Sequence, residues 1–97
     1  MAEMIAEISI TDVLPPGIIR DILCELKKAK KKHPFFPLDA VGRCSIMVEE
    51  AGEAVQVAND IAADTYMSDE NREKLKTELR HTACVCIRIL EAMENEE

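Results

Sequence analysis

Apolar and polar residues alternate along the 97-residue chain with the period of an α-helix in three segments. The first predicted helix runs from Ile18 to Lys32, with apolar residues three and four positions apart and lysines in its last turns. The segment 33–37, "HPFFP", ends it, because proline lacks an amide proton and restricts the residue before it. Residues 1–16 are predicted to form an N-terminal arm or short helix, and residues 17–97 a single domain.

The second and third predicted helices carry more apolar surface than one small chain can bury. They run from Leu38 to Ala63 and from Glu70 to Met93, separated by a turn at residues 64–69 in which Ser68 or Asp69 is the N-cap. A helix that is apolar on most sides is typically buried, and 97 residues cannot bury it alone. Because no strand pattern occurs, we predict an all-α bundle built on an antiparallel helix hairpin and completed by oligomerisation, as a dimer or tetramer.

Charge and cysteine usage narrow the classes of function. A net charge of -7 argues against binding to nucleic-acid polymers or to acidic membranes, and no apolar run approaches the roughly 18 residues that span a bilayer. The N-terminus lacks the basic and apolar segments of a signal peptide. The cysteines, which lack typical zinc-site spacing, are therefore predicted to be free thiols of a cytoplasmic protein; they are Cys24, Cys44, Cys84 and Cys86.

Four potential metal ligands occur as two pairs on the long helices. Glu50 and Glu53 lie three residues apart on the second helix, and Glu78 and His81 have the same spacing on the third. In an antiparallel hairpin, facing residues have numbers that add to a constant, and here Glu50 with His81 gives the same total as Glu53 with Glu78. Like charges and desolvation both oppose the clustering of three carboxylates and an imidazole in a partly buried site, and a divalent cation would compensate for them. Hard oxygen ligands favour Mg²⁺. Such a cluster is suited to orienting a water against a phosphate.

The stretches around these residues, "VEEAGEA" (residues 48–54) and "ELRHTA" (residues 78–83), resemble the MazG-like all-α nucleotide pyrophosphohydrolases. That family has Glu-x-x-Glu on one helix and Glu-x-x-Asp on the next, and the resemblance extends over residues 32–91. It implies an oligomeric, Mg²⁺-dependent hydrolase that converts a nucleoside triphosphate to the monophosphate and pyrophosphate. By this resemblance, Glu50, Glu53 and Glu78 are metal ligands, and Glu49 is an accessory carboxylate that helps to place a metal or water. The catalytic carboxylates are then Glu49, Glu50 and Glu53.

His81 departs from the family pattern, which has Asp at this position. Imidazole is a poorer ligand than carboxylate for Mg²⁺. Three interpretations follow: the ion preference moves toward Mn²⁺ or a similar metal, His81 contacts phosphate or a water, or activity is weakened.

Other interpretations of the same residues remain open. The glutamates are alternatively a solvated helix face, and the chain a non-catalytic helical assembly protein that keeps a degenerate metal site. Glu78-x-x-His81 is also the motif that di-iron carboxylate bundles use twice. The basic residues of segment 27–32 and Arg43 are either phosphate contacts or solvated cations, and the aromatic residues of segment 33–37 either anchor the turn or stack on a base.

Overall fold

The computed structural model describes residues 10–64 and 68–96. Within these ranges the chain forms a helical turn, α1 (Ile10–Val13), and three helices, α2 (Pro16–Lys32), α3 (Ala40–Asp64) and α4 (Asp69–Asn95). The described residues contain no strand, and the all-α prediction is confirmed. Most of the predicted N-terminal arm and the centre of the predicted turn, at residues 65–67, lie outside the described residues.

The ends of α2 follow from its sequence. Pro16 occupies its first position, where a missing amide proton costs no helical hydrogen bond, so the helix begins two residues before the predicted start at Ile18. Lysines fill its last turn, where cations interact favourably with the helix dipole. The His33 amide donates the closing hydrogen bond to the Ala29 carbonyl at 2.8 Å.

Helix α3 begins at Ala40, two residues after the predicted start near Leu38. Asp39 accepts a hydrogen bond on Oδ2 from the Gly42 amide at 2.8 Å, which satisfies an amide that the first turn leaves without a helical partner. A Cβ at Gly42 would lie 2.9 Å from Asp39 Oδ1, so glycine leaves room for this contact. Leu38 therefore precedes the helix and is 88% exposed, although it fits the apolar period of α3.

Helix α4 begins after Ser68, whose Oγ accepts a hydrogen bond from the Asn71 amide at 3.1 Å. Of the two candidate caps, Ser68 is thus the residue that caps the helix. The helix continues to Asn95, two residues beyond the predicted end at Met93.

Helix α4 lies at the centre of the bundle and packs against both α2 and α3. Arg43, near the start of α3, contacts Glu96 just beyond α4, whereas Glu50 lies beside Glu78 and His81, so the two helices run in opposite directions. Helix α2 runs in the same direction as α4, because Asp21 contacts Arg80 and Lys30 contacts Glu91 farther along both helices.

The described part of the bundle encloses a very small core. The buried residues there are Ala54 and Cys84, at 8% and 3% exposed, together with Arg43. Arg43 donates from Nε to the Pro37 carbonyl at 2.8 Å and from Nη2 to Glu96 Oε1 at 2.6 Å. Arg43 is therefore not the solvated cation that was one interpretation of it, and these contacts favour a structural role over a phosphate contact.

All four cysteines are free thiols. Cys84 donates from Sγ to the Ile22 carbonyl at 3.4 Å, and its pKa is raised by burial and by the nearby charge of Glu25. In the part of the chain that the structure describes, no helix is both long enough and apolar enough to cross a bilayer.

Candidate metal centre

Glu50 of α3 and Glu78 and His81 of α4 form a cluster of three side chains of the types that can bind a metal ion. One ligand atom from each lies within 4.8 Å of the other two. His81 Nδ1 is 3.8 Å from Glu50 Oε2 and 3.9 Å from Glu78 Oε2. The structure thus brings together three of the four residues predicted as metal ligands.

The helices position this cluster beside the small core. Glu50 lies one turn before the buried Ala54 on α3, and His81 lies one turn before the buried Cys84 on α4. Residues three or four apart share a helix face, so the packing of these two small residues turns the cluster inward. The three ligand side chains are consequently half-buried.

Two carboxylate oxygens in the cluster have no hydrogen-bond partner. Glu50 Oε2 and Glu78 Oε2 are both buried and unpaired. Burial raises the pKa of Glu50, and the neighbouring charges of Glu53 and Glu49 raise it further, while His81 lowers it. Unpaired buried oxygens cost free energy, and a divalent cation in contact with both would remove that cost. The donor set therefore fits a divalent metal ion.

Glu53 lies at the solvent-exposed edge of the cluster, on α3 beside Glu78. The pKa of Glu78 is raised first by its burial and then by a hydrogen bond and charge repulsion with Glu53. Glu78 thus has both a buried unpaired oxygen and a carboxylate neighbour, and a cation in contact with it would offset both.

Glu49 points away from the cluster. It is exposed and lines a separate shallow recess with Val41 and Val48. Its charge contributes to the raised pKa of Glu50, which is the connection with the cluster that the structure shows.

Glu25 of α2 is a neighbour of the cluster that the sequence interpretation missed. Its Oε2 lies 3.5 Å from His81 Nε2, whereas Glu50 and Glu78 lie near the other ring nitrogen, Nδ1. Glu25 follows Ile22 by three positions and precedes Ala29 by four, so it lies on the half-buried face of α2. Its position on the apolar face of α2 is a signal in the sequence that it lies near the interior of the bundle, but that signal does not identify His81 as its neighbour.

The cluster lies in a cavity of about 670 Å³. Lys28 and Lys32 of α2 and Arg88 of α4 line the same cavity, together with Phe36. The Arg88 guanidinium lies 4.6 Å from the centre of the Phe36 ring and donates to the His33 carbonyl at 2.8 Å. The volume suits a small-molecule ligand.

The lining of the cavity shows which of the basic and aromatic residues near the cluster could contact a ligand. Lys28 and Lys32 line it, whereas the other lysines of the run lie outside its lining. Phe36 is partly covered and faces Arg88, whereas Phe35 lies at the rim and is 91% exposed. Carboxylates, cations and an aromatic ring in one cavity suit an anionic ligand that carries a metal ion and a planar group.

Comparison of the chain with family models, with curated proteins and with solved structures gave no match. Functional inference therefore rests on the motifs of this sequence and on the geometry of the cavity.

Proposed function

We propose that this protein is a metal-dependent nucleoside triphosphate pyrophosphohydrolase of the MazG-like type, which converts a nucleoside triphosphate to the monophosphate and pyrophosphate. One observation carries the proposal. The cluster of Glu50, Glu78 and His81, with its two unpaired carboxylate oxygens, shares a cavity with Lys28 and Lys32.

Glu50, Glu78 and His81 are the proposed ligands of the divalent cation, with Glu53 able to join them from the exposed edge. The cation is Mg²⁺ or Mn²⁺, and the imidazole favours Mn²⁺. When bound, it supplies positive charge to the phosphate oxygens and acidifies a water.

The side chains of the cavity have distinct proposed roles. Lys28 and Lys32 bind the phosphate oxygens through charge-assisted hydrogen bonds. Phe36 and Arg88 offer a stacked surface for the base. Glu53 accepts the proton of the attacking water as that oxygen bonds to phosphorus and the anhydride between the α and β phosphates breaks. Glu49 has an accessory role through its charge beside Glu50.

The proposed active form is a homo-oligomer of the α3–α4 hairpin, a dimer or tetramer. Val41, Val48 and Val55 are exposed and recur every seventh position on α3, so they form one apolar stripe. Leu79, Leu90 and Met93 are exposed on α4, and Ile18 and Leu23 on α2. A second copy that covers these side chains supplies the apolar core that one chain lacks.

Pyrophosphate release across a panel of ribo- and deoxyribonucleoside triphosphates, with Mg²⁺ and with Mn²⁺, tests the proposed activity. We expect turnover by the wild type, a loss of about 100-fold or more in Glu53→Gln, and retained or increased activity in His81→Asp. Glu94→Gln, an exposed substitution on α4 outside the cavity lining, is the matched control and should leave the rate unchanged. Absence of turnover in every variant with either metal would contradict the enzymatic proposal.

A non-catalytic helical assembly protein is the second candidate, favoured by His81 at the position of the family Asp and by the exposed apolar side chains. Such a protein binds the metal or the nucleotide without releasing pyrophosphate. A di-iron site, which Glu78-x-x-His81 also suits, is distinguished by iron content and visible absorption.

A further inference from the structure

We propose that Glu25 of α2 is a positioning residue for His81: it accepts the Nε2 proton of the imidazole and so presents Nδ1, unprotonated, to a cation held by Glu50 and Glu78. This inference rests on the proposed metal site. It extends that site to a third helix and to a residue outside the segment that resembles the MazG-like family.

The two nitrogens of His81 face different carboxylates. Nε2 is 3.5 Å from Glu25 Oε2, whereas Nδ1 is 3.8 Å from Glu50 Oε2 and 3.9 Å from Glu78 Oε2. A neutral imidazole has one protonated and one unprotonated nitrogen, and a ligand nitrogen must be the unprotonated one. A cation at Glu50 and Glu78 therefore requires the proton on Nε2, where Glu25 is the carboxylate that accepts it.

Contacts on both sides of Glu25 hold α2 against α4 at this level. Asp21 Oδ2 lies 3.3 Å from Arg80 Nη2, and Cys84 Sγ donates to the Ile22 carbonyl at 3.4 Å. Glu25 is itself only one-quarter exposed. Its carboxylate thus has restricted freedom and a fixed neighbour, as expected of a residue that orients another side chain.

The pairing explains how a histidine serves at a position where the related family has Asp. A carboxylate presents two equivalent oxygens and tolerates rotation, whereas an imidazole presents a single lone pair whose direction and tautomer must be set. Glu25 sets both. The same contact increases the electron density on Nδ1, which favours Mn²⁺ over Mg²⁺ at this site.

Metal affinity is the first readout, measured as free Mn²⁺ by electron paramagnetic resonance and as Mg²⁺ binding by calorimetry. We expect Glu25→Ala to weaken Mn²⁺ binding by about 10- to 100-fold, and Glu25→Gln, which keeps an acceptor oxygen, to weaken it less. The matched control is Glu91→Ala, which also removes a carboxylate and a contact between α2 and α4, that with Lys30, but lies outside the cavity lining. It should bind Mn²⁺ as the wild type does.

A double-mutant cycle with His81→Asp separates positioning from simple charge. Because that background has no imidazole to orient, adding Glu25→Ala should no longer weaken Mn²⁺ binding. Weakening of the same size in both backgrounds would show that Glu25 acts as a ligand or as a general negative charge, and would overturn the inference.

The tautomer of His81 is the second readout. Nitrogen-15 chemical shifts of the Mg²⁺-loaded protein should show a protonated Nε2 and an unprotonated Nδ1, with a mixture of tautomers in Glu25→Ala. The loss of one histidine signal in His81→Asp assigns the resonances, since the chain has two histidines. A protonated Nδ1 in the loaded wild type would overturn the inference.

These outcomes distinguish the inference from the proposed function. Metal binding that depends on Glu25 without pyrophosphate release supports the inference and contradicts the enzymatic proposal. Turnover and Mn²⁺ affinity that are unchanged in Glu25→Ala contradict the inference alone. A wild type that binds neither Mn²⁺ nor Mg²⁺ contradicts both.

Discussion

At the scale of single residues, the carboxylates of Glu50 and Glu78 are expected to destabilise the metal-free folded state. Each has a buried oxygen without a partner, and burial raises the pKa of both. An unsatisfied buried polar group in a native protein needs an explanation, and a bound ion is one that fits two carboxylates beside an imidazole. The same two residues that weaken the metal-free fold are therefore the ones expected to be stabilised by a cation.

The raised pKa values give this cost a definite pH dependence. A carboxyl group whose pKa is higher in the folded state contributes stability that is fully present below its ordinary pKa and is lost as pH rises through the raised value. We therefore expect the stability of the metal-free double variant Glu50→Gln/Glu78→Gln, relative to the wild type, to increase as the pH rises above the ordinary glutamate pKa of about 4.3. Urea unfolding at each pH measures the difference in the free energy of unfolding.

Metal addition and a matched variant complete that experiment. At neutral pH, Mn²⁺ should stabilise the wild type but not the double variant, because the cation binds only the folded cluster. Glu73→Gln/Glu94→Gln, which changes two exposed glutamates of α4, should follow the wild type. A difference from the wild type that shrinks or stays constant with rising pH would contradict the assignment of the cost to this pair.

Sequence spacing was sufficient to bring Glu50 near Glu78 and His81, because facing positions of paired helices are related by simple arithmetic. It was not sufficient for Glu25 or Arg43. The contact of Glu25 with His81 depends on how α2 packs across α4, and the burial of Arg43 depends on the path of segment 33–39. Neither follows from helical periodicity. Both are set by contacts between residues distant in sequence.

At the scale of secondary-structure elements, the capping residues explain where the helices begin. Asp39 and Ser68 each accept a hydrogen bond from an amide three residues later. The apolar periodicity predicted that α3 begins near Leu38, whereas the helix begins at Ala40. Periodicity does not show which residues accept hydrogen bonds from the amides of the first turn. Residues that can accept a hydrogen bond from those amides indicate where a helix begins. Ser68 and Asp69 were both candidates for α4, and the hydrogen bond from the Asn71 amide shows that Ser68 is the cap.

The cap of α4 is directly testable. Ser68→Ala should lower the free energy of unfolding by about 1 kcal/mol, because the Asn71 amide loses its partner. Ser45→Ala is the matched control: Ser45 is exposed and donates only to the Val41 carbonyl within α3, so its removal should have little effect. Urea unfolding of both variants measures the difference, and equal effects would contradict the assignment of Ser68 as the cap.

At the scale of the whole molecule, the described chain has very few buried apolar residues, and many large apolar side chains are exposed. This imbalance was visible in the sequence, where two helices were apolar on most sides. The sequence did not show which side chains α4 covers, because that depends on the directions in which α2 and α3 pack against it. The structure leaves the stripe of Val41, Val48 and Val55 uncovered.

Association through this stripe should be visible in solution. We expect the wild type to have the molar mass of a dimer or tetramer of the 10.9 kDa chain, measured by light scattering after size exclusion. Val48→Glu/Val55→Glu should shift the protein toward the monomer, because a charge desolvated in an apolar interface is costly. Lys74→Glu/Lys76→Glu, which adds acid at exposed polar positions of α4, should keep the wild-type mass. A wild-type monomer would contradict the oligomer proposal.

The central claim is that Glu50, Glu78 and His81 hold a cation for cleavage of a nucleoside triphosphate between its α and β phosphates. Phosphorus-31 NMR spectra of the reaction products test this claim most directly, since they identify the products as well as the rate. The reaction is run with Mn²⁺, which is removed by chelation before the spectra are recorded. We predict equal amounts of monophosphate and pyrophosphate from the wild type. Unchanged substrate, or diphosphate with inorganic phosphate, would contradict the claim.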